Sequence, residues 1–365
     1  MVLHKLSLSN FRNYESLSVQ FSPGINHIIG ENGQGKTNLL ESIYCLGLAK
    51  SFRSNSDADL IKNENTEFQI FGEFYSENKV KHKIGIVATK VRKAININRK
   101  RVQKHSQLIG KIPVVLFSPE DHKITSGPPA ERRKWLDIIL SQSDQHYLKN
   151  LQTFKRALKQ KNNLLDRIAR KEENPEQLNY WNSIFVDVAE KIIAKRMALI
   201  ENIQDDLAKY YKSISSSKST IDLGYHSSTG LSKITRETFE KYISDAADKE
   251  ISAKTALFGP HRDDLVVFLN KKDVRKHASR GEHKSILLAL KIVEYNFLHT
   301  RTATKPILLL DDIYSELDFG RQKKIITHLS QLGQTFITTT FHPKISSSDD
   351  DQAFLITNGS VEEYN

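Results

Sequence analysis

The sequence predicts an α/β protein, a nucleotide-binding lobe with an accessory antiparallel sheet that is interrupted by an inserted helical arm. Three observations carry this. A glycine-rich phosphate loop stands between a strand pattern and a helix pattern near the N-terminus. The hydrophobic period turns helical in the middle of the chain, and an apolar strand ending in two aspartates returns near the C-terminus.

At the N-terminus Leu6, Leu8, Leu17, Val19 and Phe21 alternate with polar residues on either side of Asn10, Phe11, Arg12 and Asn13, which predicts two strands joined by a turn. The apolar run Ile25, Asn26, His27, Ile28, Ile29 then reads as a buried strand. It is followed by Gly30, Glu31, Asn32, Gly33, Gln34, Gly35, Lys36 and Thr37, which spell GxxxxGK[ST], with Asn38 completing the stretch assigned to the cofactor. Leu39, Leu40, Ile43 and Leu46 repeat at helical spacing immediately afterwards. Glycines let backbone N–H groups curl around phosphate oxygens, and the helix start adds its positive dipole end. In this pattern Lys36 reaches the β- and γ-phosphates and the Thr37 hydroxyl ligates Mg²⁺, so ATP (or GTP) with Mg²⁺ is the expected cofactor.

The bulk numbers bound the partners. The 365 residues contain 54 Lys and Arg against 43 Asp and Glu, a net charge of +11, with a hydrophobic fraction of 38% that suffices for a real core. A basic balance of that size suits a polyanion, either nucleic acid or a membrane surface. No run approaches a membrane span and the N-terminus does not read as a signal peptide, so the expected location is the cytoplasm. The single cysteine, Cys45, excludes a disulfide framework and a cysteine zinc cluster within one chain, and reads as packing.

Alternating stretches at residues 68–74, 84–87 and 95–97 predict the antiparallel sheet. The same region is dense in cations. Lys79, Lys81, Lys83, Arg92, Lys93, Arg99, Lys100 and Arg101 are the candidate DNA contacts, and up to Lys134 the only acids are Glu120, Asp121 and Glu131. With no zinc finger or evident helix-turn-helix, contacts are expected mainly to the phosphate backbone and with little sequence preference. From Glu131 onwards Trp135, Leu136, Ile139, Leu151, Phe154, Leu158, Leu165 and Ile168 form one helical series. After Glu172, Glu173, Asn174 and Pro175 a second series runs from Trp181 to Tyr210. Two long helices folded back on each other are expected, each about 45 Å long at about thirty residues. Residues 213–219 read as a serine-rich linker, and residues 255–258 and 265–269 as strands. The expected division is an ATPase lobe of residues 1–118 and 255–365 with a helical arm of residues 119–254.

The unbroken apolar run Ile307–Leu310 suits a strand buried in a parallel sheet, and it ends in Asp311 and Asp312. One acid can hold Mg²⁺ and the next can orient or deprotonate an attacking water, which makes Asp312 and Lys36 the catalytic candidates and Thr37 and Asp311 the metal candidates. Ser315, Glu316, Leu317 and Asp318 match the D-loop of ABC-type ATPases. Ser279, Arg280, Gly281, Glu282, His283 and Lys284 sit where such proteins carry their signature motif, just before a helical run at residues 286–298.

Together with Asn10 to Tyr14, Phe117-Ser118-Pro119-Glu120-Asp121, Arg132-Arg133 with Leu136-Asp137, and Gly259-Pro260-His261-Arg262-Asp263-Asp264, these motifs resemble the bacterial RecF family along essentially the whole chain. The resemblance implies an SMC-like ATPase head with a short arm that dimerises on ATP, with Ser279 and Gly281 of one subunit meeting the γ-phosphate held by the other. It also implies binding at gapped or single-/double-strand junction DNA, and RecA loading with RecO and RecR in recombinational repair. Arg12 follows the first strand, where related heads place a basic residue near nucleotide or DNA. Three departures stand out: Glu282 and His283 replace glutamines of many relatives, Asp312 replaces the glutamate of most ABC ATPases, and no histidine directly follows the strand Thr335–Thr339, leaving Thr340 or His342 for the switch. Two rival readings remain at this level, an energising subunit of a membrane transporter and a scaffold that binds nucleotide without hydrolysing it.

Overall fold

Strands β1 (Val2–Phe11) and β2 (Tyr14–Gln20) form the antiparallel hairpin expected from their alternation, with Leu6 opposite Val19 and Leu8 opposite Leu17. The computed structural model describes residues 1–215, 219–231, 234–313, 332–340 and 350–364. These fall into two compact units, Met1–Asp121 with Leu290–Asn365, and His122–Ala289. Residues 255–289, grouped with the nucleotide lobe on sequence, cluster with the second unit. The physical reason is pairing, since the strand after Asp263 joins a sheet made within that unit.

In the first unit, β3 (Ile25–Ile29) leads through the glycine loop into α1 (Lys36–Leu48), whose Leu39, Leu40, Ile43 and Leu46 are fully buried. Cys45 is buried on the same helix, which raises its thiol pKa and agrees with a packing role. Next come β4 (Glu67–Tyr75), β5 (Lys81–Thr89), β6 (Lys93–Ile97) and β7 (Lys100–Arg101), giving an antiparallel sheet in the order β2-β1-β4-β5-β6-β7. Its buried face carries Phe68, Ile70, Phe74, Ile84, Ile86, Ala88 and Ile95. Gly72 interrupts that row where α1 comes closest: a Cβ there would lie 2.7 Å from Leu46 Cδ1. Strand β8 (Val114–Phe117) is buried throughout.

The second unit opens with α2 (His122–Ser126), α3 (Pro129–Ser143), α4 (Gln145–Ala169) and α5 (Leu178–Ser215). The first helical series is therefore two helices. Asp144 breaks it, adopting extended backbone and capping α4 by accepting from the His146 and Tyr147 N–H groups. Helices α4 and α5 fold back on each other as expected: Ile168 clusters with Leu178, Phe154 stacks on Phe185 at 5.0 Å, and Tyr147 meets Arg196. Their lengths are unequal, about 37 Å for the 25 residues of α4 and about 57 Å for the 38 of α5. The serine tract is not all linker, because α5 runs through Ser215, with Ser213 and Ser215 hydroxyls donating back to the carbonyls of Tyr210 and Tyr211.

A small sheet in the order β11-β10-β9 follows, from β9 (Ile221–His226), β10 (Asp264–Leu269) and β11 (Lys272–Asp273). Helices α6 (Arg236–Asp245), α7 (Ala247–Ala253) and α8 (Val274–His277) flank it in sequence, and α9 spans Arg280–Thr302. Residues 255–258 are not a strand. Their backbone groups bond to side chains instead: the Ala256 N–H donates to Asn162, the Leu257 N–H donates to Glu250, and the Ala256 carbonyl bonds to His261 and Arg262.

The His261 ring lies against Phe154 and Phe185 at 5.7 and 6.0 Å, and burial pushes its pKa from 6.5 down to about 4. A folded-state value below the unfolded one stabilises the protein fully above about pH 6.5, and that contribution is lost as pH falls towards 4, by about 3 kcal/mol in all. Urea titrations should show His261→Gln losing less stability than wild type across this window. Parallel profiles would contradict the assignment.

Returning to the first unit, β12 (Ile307–Leu310), β13 (Thr335–Thr339), β14 (Gln352–Thr357) and β15 (Ser360–Glu363) complete a second sheet in the order β15-β14-β3-β13-β12-β8. All pairs are parallel except β14 with β15, so the expected buried parallel strand at Ile307–Leu310 is present. The ends of β3 and β13 align, with Ile29 opposite Thr339. Residues 315–318 and His342 lie outside the described residues.

Candidate nucleotide-binding site

Parallel order brings the glycine loop after β3 and the acids after β12 to one edge of the sheet, the usual ligand edge of such folds. Gly35 caps α1 at φ 117°, a left-handed conformation that L side chains rarely adopt, and a Cβ there would meet the Asn13 side chain at 2.5 Å. The cap makes no side-chain hydrogen bond and the first turn of α1 holds no acid. The orphan N–H groups of that turn are thus left for an anion, and Glu31, Asn32 and Gly33 are exposed around them. This donor set fits a polyphosphate. Lys36 Nζ bridges the carbonyls of Gly30 and Glu31 at 2.7 and 2.8 Å, and burial lowers its pKa against the opposing pull of Asp312 and Asp311.

The metal candidates converge. Thr37 Oγ1 donates to Asp311 Oδ1 at 2.9 Å, and Thr338 Oγ1 donates to the same oxygen at 2.8 Å. Burial raises the Asp311 pKa, while the two hydroxyls pull it back. Asp312 is exposed, at φ 51°, and its N–H donates to Thr338 Oγ1 at 2.8 Å. Thr37 and Asp311 are therefore the residues that could hold Mg²⁺ beside phosphate oxygens, as Mg²⁺ usually requires.

Sequence reasoning missed the frame around the loop. Asn13 Nδ2 donates to the Gln34 carbonyl and Asn13 Oδ1 accepts from Asn38, while the Tyr14 hydroxyl donates to the Gly35 carbonyl and Gln34 Oε1 accepts from the Asn358 N–H. Arg12 makes a bidentate pair with the fully buried Glu41 and donates to the Asp59 carbonyl, so its guanidinium is committed to the protein. Arg53 donates to Asn38 Oδ1.

In the second unit Ser279 and Glu282 form a capping box at the start of α9: the Ser279 N–H and hydroxyl donate to Glu282 Oε2 at 2.7 and 2.8 Å, and the Glu282 N–H returns to Ser279 Oγ. These bonds lower the Glu282 pKa. Glu282 thus has a local role that its place in the motif concealed. The acids that follow His261 are held by side chains of the second unit. Asp264 takes a bidentate bond from buried Arg132 and a further contact from Arg275, and Asp263 accepts from Tyr225 and Ser228.

The cations of the antiparallel sheet fall at its two ends. Lys79, Lys81, Lys83, Arg99, Lys100 and Arg101 share one, because the Asn98 N–H donates to the Lys83 carbonyl and Ile97 pairs with Lys100. Arg92 and Lys93 stand at the other, about 27 Å away along β5. Lys81 and Lys83 both pair with Glu73, and Lys93 is drawn in by Asp57 and the Ala49 carbonyl, its side chain 10% exposed. Lys79, Arg92, Arg99, Lys100 and Arg101 remain exposed.

A glycine loop on a parallel sheet, with an antiparallel sheet beside it in sequence and a helical hairpin inserted, defines the ATPase head of the SMC-like ABC class. The family model for the RecF/RecN/SMC N-terminal domain matches residues 2–360. The chain is 38% identical over 346 residues to a DNA replication and repair protein RecF of Staphylococcus carnosus, and 37% identical over 346 residues to that of Halalkalibacterium halodurans, covering 93% of each chain in both cases. It belongs to the RecF family. Among solved structures, a recombination mediator protein RecF with ATP in the RecFOR pathway superposes with a TM-score of 0.93 at 29% identity, covering 100% of this chain and 97% of that one. An Smc head bound to part of ScpA superposes at 0.55 and 18% identity over 100% and 97% of the two chains, which shows the shared fold.

Proposed function

We propose that the protein is an ATP-switched DNA clamp of recombinational repair and replication-fork maintenance. The observation that supports this most is the uncapped start of α1, where Lys36, Thr37 and Asp311 converge on the space a Mg²⁺-bound polyphosphate needs. In this reading residues 30–38 bind ATP, Thr37 and Asp311 hold Mg²⁺, and Ser279 and Gly281 of a second copy close over the γ-phosphate. Asp312 positions water for slow, DNA-stimulated hydrolysis that reopens the dimer, and binding energy serves association more than turnover. The partners are gapped or junction DNA and, through the family, RecO, RecR and RecA in the cytoplasm. Among the described residues no helix is long and apolar enough to cross a membrane, and family membership does not favour a transporter subunit.

Sedimentation with and without ATP, on gapped and on intact duplex, tests the clamp. The expected result is a doubled mass with ATP and retention on gapped duplex, and a monomer at saturating ATP would reject it. Duplex affinity should fall about a thousandfold between 50 and 200 mM salt if roughly six phosphates are contacted. A flat response would reject the charged-surface part.

A further inference from the structure

The turn between β5 and β6 presents an aliphatic side chain to solvent. Val91 is 88% exposed at its tip, more than Val80, Tyr180 or Tyr364, the other large apolar side chains left exposed among the described residues. The turn is held in shape by Thr89: its N–H donates to the Arg92 carbonyl, while Thr89 Oγ1 accepts from the N–H groups of Val91 and Arg92 at 3.3 and 3.1 Å. Lys90 and Arg92 flank the tip, both exposed, and neither side chain has an ion-pair partner among the described residues. Ala88 pairs with Lys93 at the base of the turn, and Lys93 is tied to Asp57 and the Ala49 carbonyl, so the ribbon is anchored just behind its tip.

A β-branched residue at such a position loses apolar burial, and an anchored turn keeps it there. Two cations beside one apolar tip match a nucleic-acid groove, where proteins insert apolar side chains between base steps while flanking Arg and Lys meet phosphates. Insertion costs unstacking, and that cost is least where a base pair is already open on one side.

We propose that Val91, presented between Lys90 and Arg92, is a wedge that enters the terminal base step of a duplex at its junction with single-stranded DNA. The wedge would supply the preference for junctions over continuous duplex, and it rests on the DNA-binding reading above. The test uses the full-length chain with ATP and Mg²⁺, on a gapped duplex carrying 2-aminopurine at the base pair beside the gap and on an intact duplex of equal length. Wild type should raise the 2-aminopurine fluorescence, and Val91→Ser should abolish that rise. It should also lower the ratio of gapped to intact affinity roughly tenfold, the worth of one buried valine side chain, while intact-duplex affinity stays within about twofold. Lys90→Ala with Arg92→Ala should lower the salt slope on gapped DNA by about two. An unchanged ratio and fluorescence in Val91→Ser, with wild type still binding both DNAs, would overturn the wedge and leave the DNA clamp standing. If wild type bound neither DNA, both would fall.

Discussion

Asp312→Asn is expected to slow ATP hydrolysis by about 10²- to 10⁴-fold while leaving ATP binding intact. The expectation follows from how the end of β12 is divided. Asp311 is buried and bonded to Thr37 and Thr338, whereas Asp312 is exposed on a left-handed backbone and its N–H donates to Thr338. An asparagine can keep that backbone, because Asn tolerates the left-handed region well, so the change removes a charge without displacing Asp311. Single-turnover phosphate release would measure the chemical step, and a fluorescent ATP analogue would measure binding. The variant should accumulate as the ATP-bound dimer on DNA. Hydrolysis within about threefold of wild type would remove Asp312 from the mechanism.

Arg196→Ala should destabilise the second unit by about 3–5 kcal/mol. Arg196 is 2% exposed; it donates to Asp137 Oδ1 at 2.8 Å, to the Tyr147 hydroxyl at 3.2 Å and to the Pro260 carbonyl at 2.6 Å. Tyr147 donates to the same Asp137 oxygen at 2.5 Å. One guanidinium therefore joins α3, α4, α5 and the stretch before β10, and truncating it strands a half-buried carboxylate. Urea unfolding followed by far-UV signal would report the loss. Combining Arg196→Met with Asp137→Leu should recover most of it, since the charge and its partner go together. A single variant within about 1 kcal/mol of wild type would show that water replaces the guanidinium.

The parts of this molecule legible in its sequence are those set by near neighbours. The loop at residues 30–37, the alternation of the antiparallel sheet and the apolar run Ile307–Leu310 each announce themselves within ten residues. What escaped depends on distant partners or on a single cap. Asp144 ends one helix and starts another with one carboxylate, in a polar stretch at residues 141–146 short enough to pass for the outer face of one continuous helix. Thr338 reaches Asp311 from 27 positions away, and Lys93 looked like a surface cation until Asp57 claimed it. Two signals were readable. Arg196 sits four residues after Ile192 and three before Leu199, a charge on an apolar stripe, and Ser279 with Glu282 spells a capping box.

The two oxygens of Asp311 are not equivalent. Oδ1 already takes two hydroxyl protons, from Thr37 and Thr338, and no described residue donates to Oδ2. One oxygen serves as the anchor and fixes the plane of the carboxylate, while the other takes no hydrogen bond from any described residue. A cation arriving there finds a ligand whose orientation was set in advance by β13 and α1, so little reorganisation accompanies its capture.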